Sequence, residues 1–339
     1  MSDLEPALLD PELPPDPGQF AIPLLHRYWQ HAAAPCADRL PWDLQNTLLS
    51  GLGLNLLETS RFLHGVVKPG FRDFEQWILK TNGGAIAPER LNRLRDALEG
   101  KPVDSPAGSL DGVSGLTSEE LAFWEQHGYV VLHDAVEPGP RDAAAAAIFA
   151  FLDADPRDPD TWYANKHGKT IWVPLLHHPA ICANRNAPRL VKAFSQLWGA
   201  VDLWPPIDQG GFNPPERPGW TFPGPHLHWD MTLATPHCFG VQGILYLTDT
   251  PADQGAFCCI PGFHRSLESW LASLPPSANP RQAILSHPGL IPIAGNAGDL
   301  VLWHQALPHA SSPNRGTHPR VVQYIYHRPT RWPYTEEWK

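Results

Sequence analysis

Apolar residues in the first third of the chain recur at the three- and four-residue intervals of helices. Two segments show this spacing: Leu48, Leu49, Leu52, Leu56 and Leu57, and then Phe71, Phe74, Trp77 and Ile78. The second segment stops at Asn82-Gly83-Gly84, and Pro88 suits the first turn of another helix. The pattern predicts a helical region over residues 21–100, preceded by a flexible tail over residues 1–20 that is rich in proline and acidic residues.

A change in composition separates this region from the rest of the chain. Residues 101–115 concentrate Pro, Gly and Ser, which favours a linker. Thr117 or Ser118 can then cap a helix, and Gly128-Tyr-Val-Val-Leu132 predicts a strand. We therefore expect a second domain over residues 116–339. The helical region is interpreted as an extension that packs on this domain or forms a homodimer, the alternative being a role in substrate recognition.

Short β-rich runs dominate the second domain. They are separated by Gly/Pro turns and include residues 241–248, 300–304 and 321–326. Many short antiparallel strands are typical of a sandwich or barrel. The fold class is thus predicted to be mainly β with flanking helices.

His228 and Asp230 form the first candidate for chemistry, an H-x-D pair. On an extended strand both side chains project from one face, while Trp229 points away. An imidazole and a carboxylate so placed are two of the three ligands of a 2-His-1-carboxylate Fe(II) site. With 17 histidines in 339 residues, about one such pair is expected by chance, so the third ligand must carry the assignment.

A later segment supplies a histidine and an arginine. His309 follows an apolar run, and Pro313-Asn-Arg-Gly316 reads as a turn between two strands. A hairpin centred between Asn314 and Arg315 would place His309 opposite Arg320. An iron site that uses 2-oxoglutarate needs such a neighbour, because the co-substrate chelates iron at one end and presents a carboxylate at the other. A guanidinium binds that carboxylate with two hydrogen bonds.

The second domain resembles the phytanoyl-CoA dioxygenase family of Fe(II)/2-oxoglutarate oxygenases. The resemblance is carried by the entry segment 116–132, the H-x-D pair, and three later elements: Tyr246-Leu-Thr-Asp249, Gln254-Gly255 and Pro261-Gly-Phe-His264. Phe263 replaces the family's usual serine. The resemblance implies a double-stranded β-helix core of the jelly-roll, cupin-like type. It also implies His228, Asp230 and His309 as iron ligands and Arg320 as the anchor of 2-oxoglutarate.

Three polar residues on neighbouring strands are further candidates for contacts to 2-oxoglutarate. They are Asn213, Gln242 and Tyr246. Each has the alternative of a plain structural role. The co-substrates that the family implies are 2-oxoglutarate and O2, with Fe(II) as the metal.

The net charge indicates which classes of molecule the protein binds, and the cysteine content indicates its compartment. The net charge of -10 argues against binding to nucleic acid or to an anionic membrane surface. The five cysteines include no C-x-x-C, and we read them as reduced and buried in a cytoplasmic protein. A small-molecule substrate is the expected partner.

These features together predict a dioxygenase that hydroxylates an unactivated C–H bond of a small, largely apolar molecule, such as a secondary metabolite or a modified amino acid. Two alternatives are weighed. One is a cupin-like metalloenzyme that works without 2-oxoglutarate, against which Arg320 argues. The other is a non-catalytic jelly-roll binding protein, against which the presence of all four site residues in the family's order argues.

Overall fold

Within the described residues, five helices precede the second domain and have a core of their own. The computed structural model describes residues 18–33, 40–164, 168–335 and 337, so most of the expected tail lies outside the described residues. Leu48, Phe74 and Leu94 are fully buried in the helical core. The helices are α1 (Pro23–Ala33), α2 (Trp42–Gly51), α3 (Leu56–Leu63), α4 (Phe71–Thr81) and α5 (Pro88–Leu98).

The leucine-rich segment is divided between α2 and α3 at Asn55. The Asn55 side-chain oxygen accepts the backbone N–H groups of Leu57 at 2.9 Å and Glu58 at 3.1 Å, which caps α3. Its side-chain nitrogen donates to the carbonyl of Ile207 at 2.7 Å. The same residue therefore starts a helix and joins the helical layer to the second domain.

Other contacts hold the helical layer in the same place. Thr47 Oγ1 donates to the carbonyl of Thr330 at 3.2 Å, and Arg93 Nη2 donates to the carbonyl of Leu203 at 2.8 Å. Trp204 is buried in the helical core, although it belongs to the second domain. The layer thus packs on the second domain, while a homodimer through its helices stays a prediction.

The second domain begins with the predicted capped helix. Thr117 Oγ1 accepts the N–H of Glu120 at 3.2 Å, and the Glu120 carboxylate accepts the N–H of Thr117 at 2.7 Å. Gly128, with a φ of 74°, then turns the chain into the first strand. The helices of this domain are α6 (Ser118–His127), α7 (Pro138–Phe151), α8 (Pro179–Arg185), α9 (Pro188–Trp198), α10 (Leu267–Ser273) and α11 (Pro280–Ala283).

Antiparallel strands form two facing sheets and a short ribbon. The strands are β1 (Tyr129–Leu132), β2 (Trp172–Val173), β3 (Leu203–Trp204), β4 (Gly210–Asn213), β5 (Val241–Tyr246), β6 (Phe257–Cys259), β7 (Ile291–Ile293), β8 (Leu300–His304), β9 (His309–Ser311), β10 (Arg320–Ile325) and β11 (Arg328–Pro329). The large sheet has the order β1-β8-β5-β10-β4-β2, the small sheet β7-β6-β9, and the ribbon pairs β11 with β3.

Side chains from both sheets share one core. Tyr246 and Val322 of the large sheet are buried with Phe257 and Cys259 of the small sheet. The other face of the large sheet is covered by helices, including Phe194 of α9. Two sheets facing each other, with helices on the outside of one, confirm the predicted jelly-roll core with flanking helices.

The predicted hairpin between His309 and Arg320 is wrong. β9 pairs with β6 in the small sheet, whereas β10 lies between β4 and β5 in the large sheet. Asn314 in the connection is fully buried, and its side chain donates to the carbonyls of Asn213 and His318 at 2.8 Å each. The segment is therefore a crossover between sheets, held by a buried amide, and not a tight turn.

Two observations bear on thiols and membranes. Cys182, Cys238, Cys258 and Cys259 are free thiols, but only the last two are buried, so the expected burial is wrong for Cys182 and Cys238. Cys36 lies outside the described residues. None of the helices in the described part of the chain combines the length and apolar character that crossing a membrane requires.

Asn55 generates a stability prediction. Asn55→Ala removes both the cap of α3 and the bond to Ile207, and we expect it to lower the free energy of unfolding by about 1–3 kcal/mol. Asn55→Ser keeps a capping oxygen and loses only the bond to Ile207, so its loss should be smaller. Denaturant unfolding of both variants measures this difference, and equal losses would contradict the double role of Asn55.

Candidate metal centre and substrate cavity

The structure brings His228, Asp230 and His309 together. One ligand atom from each residue lies within 4.8 Å of the others. His228 Nε2 is 3.3 Å from Asp230 Oδ1, and His309 Nε2 is 3.3 Å from Asp230 Oδ2. Two imidazoles and one carboxylate therefore converge on one point, as the sequence predicts.

Backbone pairing explains this convergence. His228 N donates to the carbonyl of His309 at 3.0 Å, and His309 N donates to the carbonyl of His228 at 2.9 Å. Residues that exchange both bonds across an antiparallel pair present their side chains on the same face. Asp230, two residues further along, shares that face with His228.

Each histidine is oriented by a carbonyl two residues earlier in the chain. His228 Nδ1 lies 2.6 Å from the carbonyl oxygen of His226, and His309 Nδ1 lies 3.1 Å from that of Leu307. A proton on Nδ1 satisfies both contacts and leaves the Nε2 lone pair free to bind a metal. The ring orientation is thus set before any metal binds.

The cluster has the electrostatics of a cation site. Burial opposes the charge of Asp230, but hydrogen bonds and charges from His228 and His309 outweigh it and hold the pKa of Asp230 well below its usual range. Burial also acts to lower the pKa of His228, but the neighbouring Asp230 carboxylate more than compensates and raises it. The carboxylate is therefore ionised at neutral pH, as a metal ligand must be.

Gln242 reaches this cluster from β5. Its Nε2 donates to Asp230 Oδ2 at 2.8 Å, and its Oε1 is buried with no hydrogen-bond partner among the described residues. Gln242 also lines the cavity, so its contact with 2-oxoglutarate stays a prediction beside the observed contact with Asp230.

Arg320 is fully buried, close to the metal cluster. Its Nη1 donates to Ser311 Oγ at 3.3 Å, whereas Nε and Nη2 have no partner among the described residues. The Tyr324 hydroxyl lies beside Arg320 and Ser311 and is equally unpartnered within the described part of the chain. Unpaired buried donors are costly, so this group of donors suits a bound carboxylate.

Asn213 and Tyr246 do not reach the cavity. Asn213 Nδ2 donates to the carbonyl of Ser312 at 3.1 Å. The Tyr246 hydroxyl donates to the carbonyl of Ile293 at 2.7 Å and accepts the N–H of Phe257 at 3.0 Å. Both side chains join segments of backbone, and the predicted contact of each with 2-oxoglutarate stays a prediction.

A cavity of about 370 Å³ opens beside the metal cluster. His228, Asp230 and His309 line it, together with Ser311 and Tyr324 in front of Arg320. Its apolar lining includes Leu49, Leu54, Trp42, Trp172, Ile244, Phe257 and Trp303. This volume is in the range of small-molecule sites.

One wall of the cavity comes from the N-terminal helices. Residues of α2, α3 and the turn between them line it: Trp42, Asn46, Leu49, Ser50, Leu54, Asn55, Leu56 and Leu57. Sequence reasoning favoured a packing or dimerisation role for this region. The structure places part of this region along the cavity, and its alternative role in substrate recognition stays a prediction.

Sequence reasoning also missed Tyr324 and Arg328. Both line the cavity. A signal was present, because Arg320, Tyr324 and Arg328 are separated by even numbers of residues and share one face of an extended chain. This alternation was not applied beyond Arg320.

The donor set fits the group that the family implies. Two imidazole nitrogens and one carboxylate on one side of a cavity match the facial triad of Fe(II) enzymes. The unpartnered donors of Arg320 and Tyr324 fit the far carboxylate of a dicarboxylic co-substrate. Fold and site together define an oxygenase of the 2-His-1-carboxylate class.

Comparison with known proteins assigns the family. The family model described as phytanoyl-CoA dioxygenase matches residues 124–322, and the chain belongs to this family of Fe(II)/2-oxoglutarate-dependent dioxygenases. A Dictyostelium discoideum protein provisionally named phytanoyl-CoA dioxygenase is 24% identical over 260 residues, which is 61% of this chain and 74% of that protein. Ectoine dioxygenase of Halomonas elongata is 23% identical over 263 residues, 70% of this chain and 75% of the relative.

Solved structures show partial overlaps. HygX from Streptomyces hygroscopicus, crystallised with nickel and 2-oxoglutarate, superposes with a TM-score of 0.47 at 18% identity, covering 64% of this chain and 88% of HygX. AviO1 from Streptomyces viridochromogenes Tue57 gives 0.46 at 17% identity, covering 67% and 98%. The family assignment rests on the family model and not on these overlaps.

The contact between Gln242 and Asp230 generates a prediction about metal affinity. Gln242→Leu leaves the three ligands in place but frees the Asp230 carboxylate, so we expect Fe(II) affinity to fall about 10–100-fold. Anaerobic metal titration measures it. The matched control is Gln323→Leu, a buried glutamine of the large sheet whose bonds go to Asn184 and Ile181, and whose Fe(II) affinity should be unchanged. Unchanged affinity in Gln242→Leu would show that Asp230 needs no such support.

Proposed function

We propose that this chain hydroxylates an unactivated C–H bond of a small organic molecule, with succinate and carbon dioxide formed from 2-oxoglutarate. The observation that carries the proposal is the placement of the His228, Asp230 and His309 cluster and the unpaired donors near Arg320 beside one cavity. A cupin-like enzyme without 2-oxoglutarate has no use for a buried arginine with free donors.

The protein residues hold and orient the reacting groups. His228, Asp230 and His309 would hold Fe(II), and Gln242 would keep the Asp230 carboxylate in place. Arg320, with Tyr324 and Ser311, would fix the far carboxylate of 2-oxoglutarate by charge-assisted hydrogen bonds. Fe(II) with 2-oxoglutarate and O2 supplies the oxidising chemistry that replaces hydrogen by hydroxyl.

The walls of the cavity would position the substrate beside the metal. Trp172 and Trp303 lie on the walls that the second domain provides, and Trp42 and Leu49 belong to the N-terminal helices. Apolar walls on both sides exclude water and favour a substrate with an apolar body. We therefore infer that the N-terminal helices take part in substrate selection, because they form the wall outside the matched family region.

The co-substrate assignment is tested by anaerobic addition of Fe(II) and then 2-oxoglutarate, followed through the visible metal-to-ligand charge-transfer band. We expect the band in the wild type and its loss in His309→Ala. Arg320→Gln should raise the Kd of 2-oxoglutarate at least about 100-fold, because it removes a buried charge that pairs with a carboxylate. Bound iron that gives no band would remove 2-oxoglutarate from the reaction.

Two tyrosines provide a matched pair for the same titration. Tyr324→Phe removes a free hydroxyl beside Arg320, and we expect it to weaken 2-oxoglutarate binding about 5–10-fold. Tyr246→Phe removes a hydroxyl that bonds only to backbone groups in the described structure, so it should reduce stability and leave 2-oxoglutarate affinity unchanged. The reverse result would return Tyr246 to the co-substrate site.

A further inference from the structure

Arg328 lines the cavity with its guanidinium. Its backbone pairs with Trp204 in the ribbon, but its side chain forms no hydrogen bond or ion pair with any of the described residues. Its Cζ lies 5.4 Å from the ring centroid of Trp332 and 5.9 Å from that of Tyr326. A guanidinium stays charged at neutral pH, so this wall of the cavity carries a positive charge.

Arg93, another half-buried arginine, uses its side chain to hold the fold together. Arg93 Nε donates to the carbonyl of Asp104 at 2.9 Å, and its Nη2 donates to that of Leu203 at 2.8 Å. The Arg93 side chain therefore joins segments of backbone and has a structural role. Arg328 makes no such contact with the described residues, which leaves its donors for a ligand.

Asp208 presents the opposite charge to the same cavity. Its Oδ1 accepts the N–H of Gln209 at 2.7 Å, and its carboxylate forms no ion pair within the described ranges. Burial raises the pKa of Asp208 to about 6, against the opposing effects of Arg185 and Arg328. At neutral pH the cavity therefore holds a carboxylate and a guanidinium that are near enough to influence each other but are not paired.

Arg320 and Arg328 occupy different positions on one extended segment. Arg320 is fully buried behind Ser311 and Tyr324, whereas Arg328 is partly exposed and lies near Tyr326 and Asp208. They lie eight positions apart in the chain, and only Arg328 is among the residues that line the cavity directly. Arg320 suits the co-substrate, and Arg328 remains for the substrate.

We propose that the substrate is a small amino-carboxylate, whose carboxylate binds Arg328 and whose protonated amine binds Asp208. This inference rests on the proposed oxygenase function and specifies its substrate class. The apolar lining receives the carbon body. A molecule with both charges complements two partly buried charges that form no ion pair within the described residues.

Four probes of one shape separate the contributions of the two charges. L-leucine carries both groups, 4-methylpentanoate only the carboxylate, L-leucinamide only the amine, and 4-methylpentanamide neither. Binding to the full-length protein loaded anaerobically with Fe(II) and 2-oxoglutarate is followed by tryptophan fluorescence, since Trp42, Trp172 and Trp303 line the cavity. We expect L-leucine to bind most tightly, with about a 10-fold loss for each missing charge.

Substitutions assign each loss to a residue. Arg328→Gln should weaken L-leucine and 4-methylpentanoate about 10–100-fold and leave L-leucinamide unchanged. Asp208→Asn should weaken L-leucine and L-leucinamide and leave 4-methylpentanoate unchanged. Arg328→Lys should bind the two carboxylate probes more tightly than Arg328→Gln does. Arg157→Gln, which removes a highly exposed arginine, is the control for net charge and should bind all four probes like the wild type.

Several outcomes would overturn the inference. These are equal affinity of the wild type for all four probes, no saturable binding of L-leucine up to about 10 mM, and Arg328→Gln binding the carboxylate probes normally. Loss of 2-oxoglutarate affinity in Arg328→Gln would instead assign this residue to the co-substrate. A failure of the oxygenase proposal gives a different result: the charge-transfer band of Fe(II) with 2-oxoglutarate would be absent, whichever of the four probes binds.

Discussion

The paired backbones of His228 and His309 are the constraint on which the site depends. Their two reciprocal hydrogen bonds connect a segment without regular strand structure to the edge of the small sheet. This pairing aligns the two imidazoles, and the two-residue period of the chain adds Asp230. The carbonyls of His226 and Leu307 then select the nitrogen that faces the metal. Rigid backbone thus produces ligand geometry without help from the metal.

Charged side chains that lack a full set of partners lie in and beside the cavity of the jelly-roll core. Arg320 has one side-chain contact and two free donors, and Arg328 and Asp208 have no ion-pair partners within the described part of the chain. Charges that are removed from water, wholly for Arg320 and partly for Arg328 and Asp208, destabilise a protein unless a ligand compensates them. These three charged side chains lie at or beside the cavity, so the free energy of folding that they cost is offset when a ligand binds there.

The cavity joins a shared core to a separate helical layer. The family model covers residues 124–322 and includes the metal cluster and Arg320, whereas α2 and α3 lie before it. Asn55 connects the two parts through the carbonyl of Ile207, next to Asp208 in the chain. A wall supplied by another layer can change with the substrate while the metal site is preserved, because the residues of α2 and α3 are not among the three metal ligands.

Local rules were sufficient for part of this protein. Alternation placed His228 and Asp230 on one face, the Thr117 capping signal located a helix, and apolar runs located β1, β5, β8 and β10. Motif order then indicated His309 and Arg320. Each of these inferences depends on residues close together in the chain, where backbone period and propensity decide the structure.

Tertiary structure alone decided which strands are neighbours. His309 lies opposite His228 and not Arg320, since the chain crosses between sheets after β9. Tyr246 bonds to backbone while Tyr324 approaches Arg320, although both lie on strands of the large sheet. Only the tertiary structure shows that α2 and α3 form a wall of the cavity, and that Arg328 and Asp208 line the same cavity. Strand order and layer contacts join residues up to hundreds of positions apart, and short-range period and propensity do not specify such pairings.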